Sequence, residues 1–334
     1  VLRRWIRAVA PAIARALAAS TRPGDVLVSG ILGLPACRLL SAALGCEVVD
    51  LALAPTLPTA RADSLVGAPR RGRSPLNLHY SRALRRGSLA MGAPIARVLA
   101  RGVPNGRGTA GRRSGGTVIL ACSPQLVPPA ADWPAAVHCT GRLAAPVRGW
   151  EPDAGLVDFL SSGPPPVYVG FGSVPLGEPR AAVARQAEAA RRAGARALIS
   201  PAAGFDEWDG DYGDHVHLLG FAPHDWLLPR TAAAIHHGGA GTTHAALAAG
   251  VPQGVVPFSL DQPYYARRVE ALGLGPAPLA PQRADVEALA VLMRRLVGAG
   301  QARGYRERAR EAAGVVAREN GARTAAGILL AAST

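Results

Sequence analysis

Residues 232–243 read AAAIHHGGAGTT: a short apolar stretch, a glycine-rich turn and a segment suited to begin a helix. Glycines let the backbone N–H groups of such a turn approach an anion closely. The helix, predicted to start near Thr242, directs its unpaired amides and the positive end of its dipole toward the same point. Thr242 and Thr243 can cap this helix or donate hydroxyls, and His237 can donate to a phosphate oxygen. The stretch therefore predicts a strand, turn and helix that cradle a pyrophosphate.

The composition indicates two globular domains without a membrane-spanning segment. The 334 residues are 49% hydrophobic, which suits domains that each bury a core of their own. No apolar run reaches the length of a spanning helix. The charged N-terminus is not followed by the apolar region of a secretory signal. The sequence therefore predicts a soluble, cytoplasmic protein.

The formal net charge of +14 raises the question of a nucleic-acid partner, since basic surfaces attract phosphate backbones. Every basic residue is Arg, and Ala, Gly and Pro are abundant too, as a GC-rich gene would encode. We interpret the charge as spread along the chain, with its densest stretch, residues 107–113, in a flexible loop. We therefore expect no nucleic-acid partner and at most peripheral membrane contact.

The four cysteines do not form a metal or disulfide motif. They are Cys37, Cys46, Cys122 and Cys139. They form no C-x-x-C pair and have no histidines at zinc-ligand spacing. Because all four lie in apolar stretches, we expect them to be free thiols that pack as small hydrophobic residues.

Short apolar strands alternate with alanine-rich helices along the chain, which predicts parallel α/β layers. Strands are predicted at residues 25–30, 47–53, 117–122, 137–141, 167–171, 196–200, 216–219, 232–236 and 254–258. Helices are predicted at residues 5–19, 35–44, 77–100, 180–193, 285–297 and 305–319. We expect the first strand, 25–30, to be buried.

The segment 142–152 has no periodicity and contains two prolines, as an interdomain linker would. We therefore divide the chain into domains at 1–145 and 146–334, with the last helices closing the second domain. The second domain has the elements of a complete doubly wound sheet. The first opens on the outer part of a helix, with no strand before Trp5, so we expect its sheet to be incomplete.

The glycine-rich turn stands between two further motifs, Phe221-Ala222-Pro223-His224 before it and Asp261-Gln262 after it. Neither a Walker motif nor a Gly-x-Gly-x-x-Gly fingerprint is present. The order of these parts resembles the signature region of the family 1 glycosyltransferases, above all the bacterial antibiotic and macrolide enzymes and the sterol glucosyltransferases. The resemblance implies a GT-B fold: two Rossmann-like doubly wound domains, the N-terminal one incomplete here.

The resemblance also implies which residues bind the sugar nucleotide. Gly172-Ser173 matches a loop that faces the phosphates, and Ala222 matches a residue that binds the base through its backbone. Asp261 and Gln262 match a pair that hydrogen-bonds the donated sugar. The complete set of implied donor-binding residues is Gly172, Ser173, Phe221, Ala222, His224, His237, Gly239, Gly241, Thr242, Asp261 and Gln262.

The resemblance has three gaps. Many sterol-type relatives carry Gly-Trp-Gly where this chain has Ala202-Ala203-Gly204. Plant members carry a ribose-binding Glu where this chain has Ala245, which leaves uridine and thymidine donors both open. The catalytic base of the family, a His or Asp, lies in an N-terminal segment that nothing here matches, so we expect it upstream of Val1. His79 and Asp25 are poor substitutes, because His79 lies in a variable helical region and Asp25 ends a turn. We expect residues 1–334 alone to transfer sugar poorly or not at all.

The implied activity is inverting transfer of a sugar from a UDP- or dTDP-sugar to a hydroxyl of a lipophilic natural product or sterol. It needs no metal and no cofactor beyond the nucleotide sugar as co-substrate. Two alternatives stay open: a catalytically silent partner protein that binds a nucleotide sugar, and a sugar-nucleotide epimerase on the same fold. Free product formed without an acceptor would indicate the epimerase.

Overall fold

The computed structural model describes residues 2–102, 116–145, 147–172, 178–201 and 210–333. The chain forms two compact units. Unit 1 comprises Val1–Ala144 and Glu319–Thr334, and unit 2 comprises Ala145–Arg318. The residues after Arg318 therefore belong to the first unit, whereas the sequence-based division placed them in the second.

The elements alternate between helix and strand along most of the chain. The helices are α1 (Leu2–Ser20), α2 (Leu34–Leu44), α3 (Pro75–Leu99), α4 (Ala154–Ser161), α5 (Pro179–Ala193), α6 (His224–Leu227), α7 (Ala240–Ala249), α8 (Gln262–Ala271), α9 (Val286–Val297), α10 (Gln301–Val316) and α11 (Gly321–Ala332). The strands are β1 (Val26–Ser29), β2 (Glu47–Ala52), β3 (Val118–Leu120), β4 (Val137–Cys139), β5 (Val167–Gly170), β6 (Ala197–Ser200), β7 (Val216–Leu218), β8 (Ala233–His236) and β9 (Gln253–Val255).

Unit 1 is built on a parallel sheet with the strand order β1-β2-β3-β4. The helix α11 covers part of this sheet, because Ala325 packs with Val49 and Ile119 in one apolar cluster. This packing is why the end of the chain belongs to unit 1. The expectation that β1 is buried is wrong, since β1 is an outer strand of the described sheet and Val28 is 42% exposed.

The helices α1, α2 and α3 share a second apolar cluster in unit 1. In this cluster α3 approaches the loop before α2 so closely that a side chain would not fit between them. A Cβ atom built on Gly92 would lie 1.9 Å from the carbonyl oxygen of Leu32. Gly87, five residues earlier on the same helix, has nothing within 4 Å of such an atom. Packing therefore requires glycine at position 92 but not at position 87.

Unit 2 is built on a parallel sheet with the strand order β7-β6-β5-β8-β9. The chain proceeds outward from β5 through β6 to β7 and then returns to the other side of β5 with β8. The order of strands therefore reverses between β5 and β8. In open α/β sheets, ligands bind outside the carboxyl ends of the strands at such a switch point. The loops after Gly170 and His236 are accordingly where a site is expected.

The two central strands of unit 2 are buried along their whole length. Val169 and Ile235 face a cluster that includes α5 and α9. Tyr168 and Ala234 face a cluster on the other side that includes α4 and α7. Because neighbouring residues of a strand point to opposite faces, both faces of the sheet are covered, as parallel sheets require.

The predicted strands and helices all have a counterpart, with ends shifted by a few residues. Helices α4, α6, α8 and α11 were not predicted. The strand expected at 254–258 ends at Val255, and α7 begins at Ala240 rather than near Thr242. The described cysteines are free thiols, as expected. Within the described ranges, none of the helices has the length and apolar character needed to cross a bilayer.

We predict opposite effects of two alanine substitutions on the stability of unit 1. Gly92→Ala should lower the free energy of unfolding by about 1–3 kcal/mol, because the added methyl overpacks against the Leu32 carbonyl. Gly87→Ala should raise it by up to about 1 kcal/mol, because alanine favours an exposed helix interior. Denaturant unfolding followed by circular dichroism measures both, and equal effects of the two changes would contradict the packing argument.

Candidate functional site

The loops after β5 and β8 meet at the switch point of unit 2. Gly172 has a φ of +60°, which favours glycine, and a Cβ atom built on it would lie 3.2 Å from Cε1 of His237. The backbone of the first loop therefore lies directly against the imidazole of the second. Ser173, predicted to face the phosphates with Gly172, lies outside the described residues.

Gly238 and Gly239 form a turn in which neither position has room for a side chain. Gly238 has a φ of +84°, and a Cβ atom on it would lie 2.8 Å from Cγ1 of Val255 and 3.0 Å from the carbonyl oxygen of Gln262. A Cβ atom on Gly239 would lie 2.4 Å from Nε2 of His237. The turn is thereby packed between β9, the start of α8 and the His237 ring.

Helix α7 begins with amides that the protein leaves unpaired. Gly239 is its N-cap residue and provides no side-chain cap. The first helical bond runs from the amide of Thr243 to the carbonyl of Gly239, at 3.0 Å. Within the described chain, no backbone partner is seen for the amides of residues 240–242. These three N–H groups, together with the helix dipole, form an anion-binding point at the carboxyl end of β8.

The two threonines of the turn differ in what they can offer a ligand. The hydroxyl of Thr243 donates to the Gly239 carbonyl at 2.8 Å, and the residue is fully buried. It is therefore part of the helix and not of the site. Thr242 is half-buried, and its hydroxyl makes no hydrogen bond to another described residue. Gly241, which precedes it, is exposed, and a Cβ atom built on it would have nothing within 4 Å.

His237 lies beside these amides as a neutral donor. Burial lowers its pKa, while the Gly170 backbone and the negative charge of Asp261 oppose the shift. Since the ordinary pKa of histidine is already below 7, the ring carries one proton at neutral pH. A neutral imidazole with one N–H can donate to a phosphate oxygen without adding a buried charge.

His236 supports the turn from inside the protein. Its Nδ1 accepts a hydrogen bond from the amide of Gly238, and its Nε2 donates to Oε1 of Gln253, both at 3.0 Å. It is completely buried, and burial lowers its pKa to about 3. Sequence reasoning assigned no role to His236. The two adjacent histidines therefore have different roles. His236 stabilises the turn, and His237 lies against the loop after β5.

The loop after β7 exposes Phe221 and the Ala222 backbone. Phe221 is 71% exposed, which rules out a role in the core. The N–H and C=O of Ala222 have no hydrogen-bond partner in the described part of the chain, as the predicted binding of a base through this backbone requires. Nε2 of His224 lies 3.1 Å from the hydroxyl of Tyr168. His224 therefore attaches the loop to β5.

Trp150 is a part of the site region that sequence reasoning missed. It lies in the segment 142–152, which was predicted to be a linker, yet it belongs to unit 2. Its Nε1 donates to the carbonyl of Phe221 at 3.1 Å. Its ring packs edge-on against Trp226, with centroids 5.1 Å apart. Trp150 therefore attaches the exposed loop by a hydrogen bond to its backbone. No local sequence signal predicts this contact.

Asp261 and Gln262 stand at the start of α8 and have different roles. Asp261 occupies the N-cap position, but its side chain makes no capping bond. Burial raises its pKa, and the charge interaction with His237 opposes this. Oε1 of Gln262 accepts from the amides of Phe258 at 2.8 Å and Ser259 at 3.2 Å. Gln262 thus shapes its own loop, and only its NH2 group is left for a ligand.

The two weak candidates for a catalytic base have local structural roles in unit 1. Oδ2 of Asp25 accepts from the amide of Arg22 at 2.7 Å and closes a turn. Nδ1 of His79 lies 2.8 Å from the carbonyl of Pro75 on the exposed side of α3. In the portion of the chain that the structure covers, no three His, Cys, Asp or Glu side chains converge to hold a metal ion.

Comparison with known proteins connects this geometry to one group of enzymes. Residues 206–325 match the family model described as "Erythromycin biosynthesis protein CIII-like, C-terminal domain". A sterol 3-beta-glucosyltransferase of Arabidopsis thaliana is 42% identical over 163 residues, which are 47% of this chain and 25% of that protein. The O-mycaminosyltylonolide 6-deoxyallosyltransferase of Streptomyces fradiae is 38% identical over 175 residues, 52% of this chain and 40% of that protein.

The chain is a homologue of the family 1 glycosyltransferases. The matched segments span well under half of these relatives. A solved structure shows the fold over nearly the whole chain: the glycosyltransferase VinC in complex with dTDP has a TM-score of 0.60 and 21% identity, covering 98% of this chain and 75% of that one. The two parallel sheets are those of the GT-B fold.

In this glycosyltransferase homologue, several of the implied donor-binding residues come together in unit 2. Close contacts join Gly172 and Gly239 to His237, and the backbone of Gln262 to the same turn. The charge of Asp261 interacts with His237. The loop with Phe221, Ala222 and His224 is attached separately, at Tyr168 and Trp150. The carboxyl ends of the parallel strands place both groups on one edge of the sheet.

We predict that His236 makes unit 2 sensitive to acid. Its pKa is about 3 in the folded protein, below the ordinary value of about 6.5. Its contribution is therefore complete above pH 6.5 and is lost as the pH falls toward 3. Between pH 7 and pH 4 this amounts to roughly 2–3 kcal/mol of the free energy of unfolding.

The measurement is denaturant unfolding over this pH range, followed by tryptophan fluorescence. His236→Gln should be less stable at pH 7 but should lose less stability on acidification. His79→Gln, at an exposed position, should keep the slope of the parent protein. Identical slopes for all three proteins would show that His236 is not the group that titrates.

Proposed function

We propose that unit 2 binds the diphosphate of a UDP- or dTDP-sugar, and that the protein transfers the sugar to a hydroxyl of a lipophilic acceptor. The observation that carries the proposal is the set of unpaired amides at residues 240–242, which lie at the switch point of the sheet beside the neutral His237. This arrangement offers donors and a positive dipole end to an anion and has no partner of its own among the described residues.

The rest of the donor has a place on either side of this point. The exposed ring of Phe221 and the free backbone of Ala222 suit a pyrimidine base, which can stack on one and hydrogen-bond to the other. Asp261, partly buried and not used as a cap, suits the hydroxyls of a sugar. The names of the relatives, a sterol glucosyltransferase and a deoxyallosyltransferase, support transfer to a lipophilic acceptor. The dTDP held by VinC supports the choice of nucleotide.

The proposed reaction is a single displacement at the anomeric carbon, with inversion. A general base takes the proton of the acceptor hydroxyl, the oxygen attacks the carbon, and the bond to the diphosphate breaks. Negative charge grows on the diphosphate as it leaves. The amides of residues 240–242 and His237 stabilise that charge by hydrogen bonds that are already oriented before the reaction. We propose that this transfer proceeds without a metal ion. None of the residues assigned to the site acts as the base.

Calorimetry with UDP and dTDP, in buffer that contains EDTA, tests the nucleotide site. Transfer is then assayed with a nucleotide sugar and a panel of sterols and macrolide aglycones, for residues 1–334 and for a chain extended at its N-terminus, and NMR of the product reports the anomeric configuration. The first of the two is expected to transfer poorly, as predicted from the sequence. Retention of configuration, or a free sugar nucleotide epimer without acceptor, would exclude the proposed reaction. Absence of nucleotide binding would exclude the whole proposal.

We predict that His237→Ala weakens the binding of UDP or dTDP by about 1.5–3 kcal/mol, the range for a hydrogen bond to a charged group. Calorimetry on the full chain gives the affinity, and circular dichroism confirms the fold. His79→Ala, which removes an exposed histidine of unit 1, serves as the matched control. If both variants bind as the parent does, His237 does not contact the phosphates.

We predict that Asp261→Asn lowers the affinity for the nucleotide sugar by about 1.5–3 kcal/mol and leaves the affinity for the bare nucleoside diphosphate unchanged. Asparagine keeps the size of the side chain and removes the charged acceptor. The nucleoside diphosphate is the internal control, because it has no sugar to lose contact with. Equal losses for both ligands would place Asp261 away from the sugar. Gln262 is less suitable for this test, since its oxygen holds the amides of residues 258–259.

A further inference from the structure

The net positive charge of this protein arises entirely in its first 131 residues. Residues 1–131 contain 18 arginines and 4 acidic residues, a net charge of +14, which equals that of the entire chain. Residues 132–334 contain 19 arginines and 19 acidic residues, a net charge of zero. The expectation that charge is spread along the chain is therefore wrong. Such asymmetry between parts of a chain indicates an anionic partner for one of them.

Codon bias does not account for this division. A GC-rich gene favours arginine in every part of the chain, and arginines are indeed numerous in both. The difference lies chiefly in the acidic residues, which are nearly absent from the first part. Residues 1–24 and 64–131 contain none. A surface formed by these segments has no carboxylates of its own to neutralise its arginines.

Helix α1 presents exposed arginines beside its buried stripe. This stripe consists of Ile6, Ala10 and Ala14. At 100° per residue, Arg7 lies about 60° and Arg4 about 120° from the centre of this stripe, on the same side of the helix, and both are exposed. Trp5 is also exposed, but it lies about 160° from Arg7 around the helix and therefore belongs to a different side.

Helix α3 continues this surface. Its buried stripe includes Ile95 and Leu99, and Arg86 and Arg97 are exposed on the other side. A shallow pocket of about 240 Å³ lies between α1 and α3 and is lined by Arg7, Ala90, Met91, Pro94 and Arg97. The two helices thus form one surface, in which apolar side chains lie between arginines.

We propose that this basic face, defined as Arg4, Arg7, Arg86 and Arg97, binds the anionic surface of a lipid bilayer. Among the described residues none of these arginines forms an ion pair, so their charge is available to lipid phosphates. Arginines at a bilayer surface are attracted by anionic headgroups. A nucleic acid is the weaker candidate, because a phosphate backbone offers nothing to the apolar side chains between the arginines.

This surface goes beyond the proposed function and does not depend on it. It lies in unit 1, whereas the residues assigned to the nucleotide lie in unit 2. Its consequence for the proposed reaction is direct, since lipophilic hydroxyl compounds partition into bilayers. A protein held at the bilayer by its basic face would meet such acceptors at high local concentration.

Co-sedimentation of the full chain with vesicles tests the proposal. Equimolar phosphatidylserine and phosphatidylcholine should bind the protein, and phosphatidylcholine alone should not. Each arginine near an anionic bilayer is expected to strengthen binding about fivefold, so Arg4→Gln, Arg7→Gln and Arg97→Gln together should weaken it by about 100-fold. The matched control replaces Arg283, Arg310 and Arg318 of unit 2 by Gln and should bind like the parent.

UDP binding in unit 2 checks that each variant is folded, and circular dichroism checks the helices. Equal binding to neutral and anionic vesicles, or equal losses in the two triple variants, would overturn the proposal. So would binding to a duplex DNA that exceeds vesicle binding and is lost in the same variant.

Discussion

The site in unit 2 depends on the absence of two side chains, those of Gly238 and Gly239. Only a residue without Cβ can take the positive φ of Gly238 while the turn lies against Val255 and the start of α8. Only such a residue at 239 leaves space for the His237 ring. With both conditions met, α7 begins at once after β8, and its first amides stay free.

The hydrogen bonds that stabilise this turn lower the stability of the protein elsewhere in its interior. His236 stays neutral in complete burial in order to accept the amide of Gly238. Gln253 orients that imidazole, yet its own Nε2 is buried without a hydrogen-bond partner in the described structure. An unsatisfied buried donor costs about 1–3 kcal/mol. Such a cost is typical of functional sites, where local order matters more than maximal stability.

The strand, turn and helix around residues 232–243 could be predicted because their signals are local. The start of α7 was misplaced by two residues because glycine and threonine are comparable N-cap residues, so the local sequence does not decide between Gly239 and the threonines that follow. The contacts of Trp150 could not be predicted, since Phe221 is 71 residues away. Likewise, α11 was not predicted, and its packing against Val49 is a contact between residues far apart in the chain.

The candidate site has two parts, the start of α7 and the loop with Phe221, and they are attached to the sheet by different kinds of contact. The amides of residues 240–242 are fixed by the backbone of a helix and a sheet, so they can orient charge stabilisation before a reaction begins. The loop with Phe221 is held by side chains, through Trp150 and through His224 on Tyr168. Side-chain attachment allows a loop to differ in sequence while the sheet stays the same. Under the proposed function, recognition of the base can therefore vary independently of diphosphate binding.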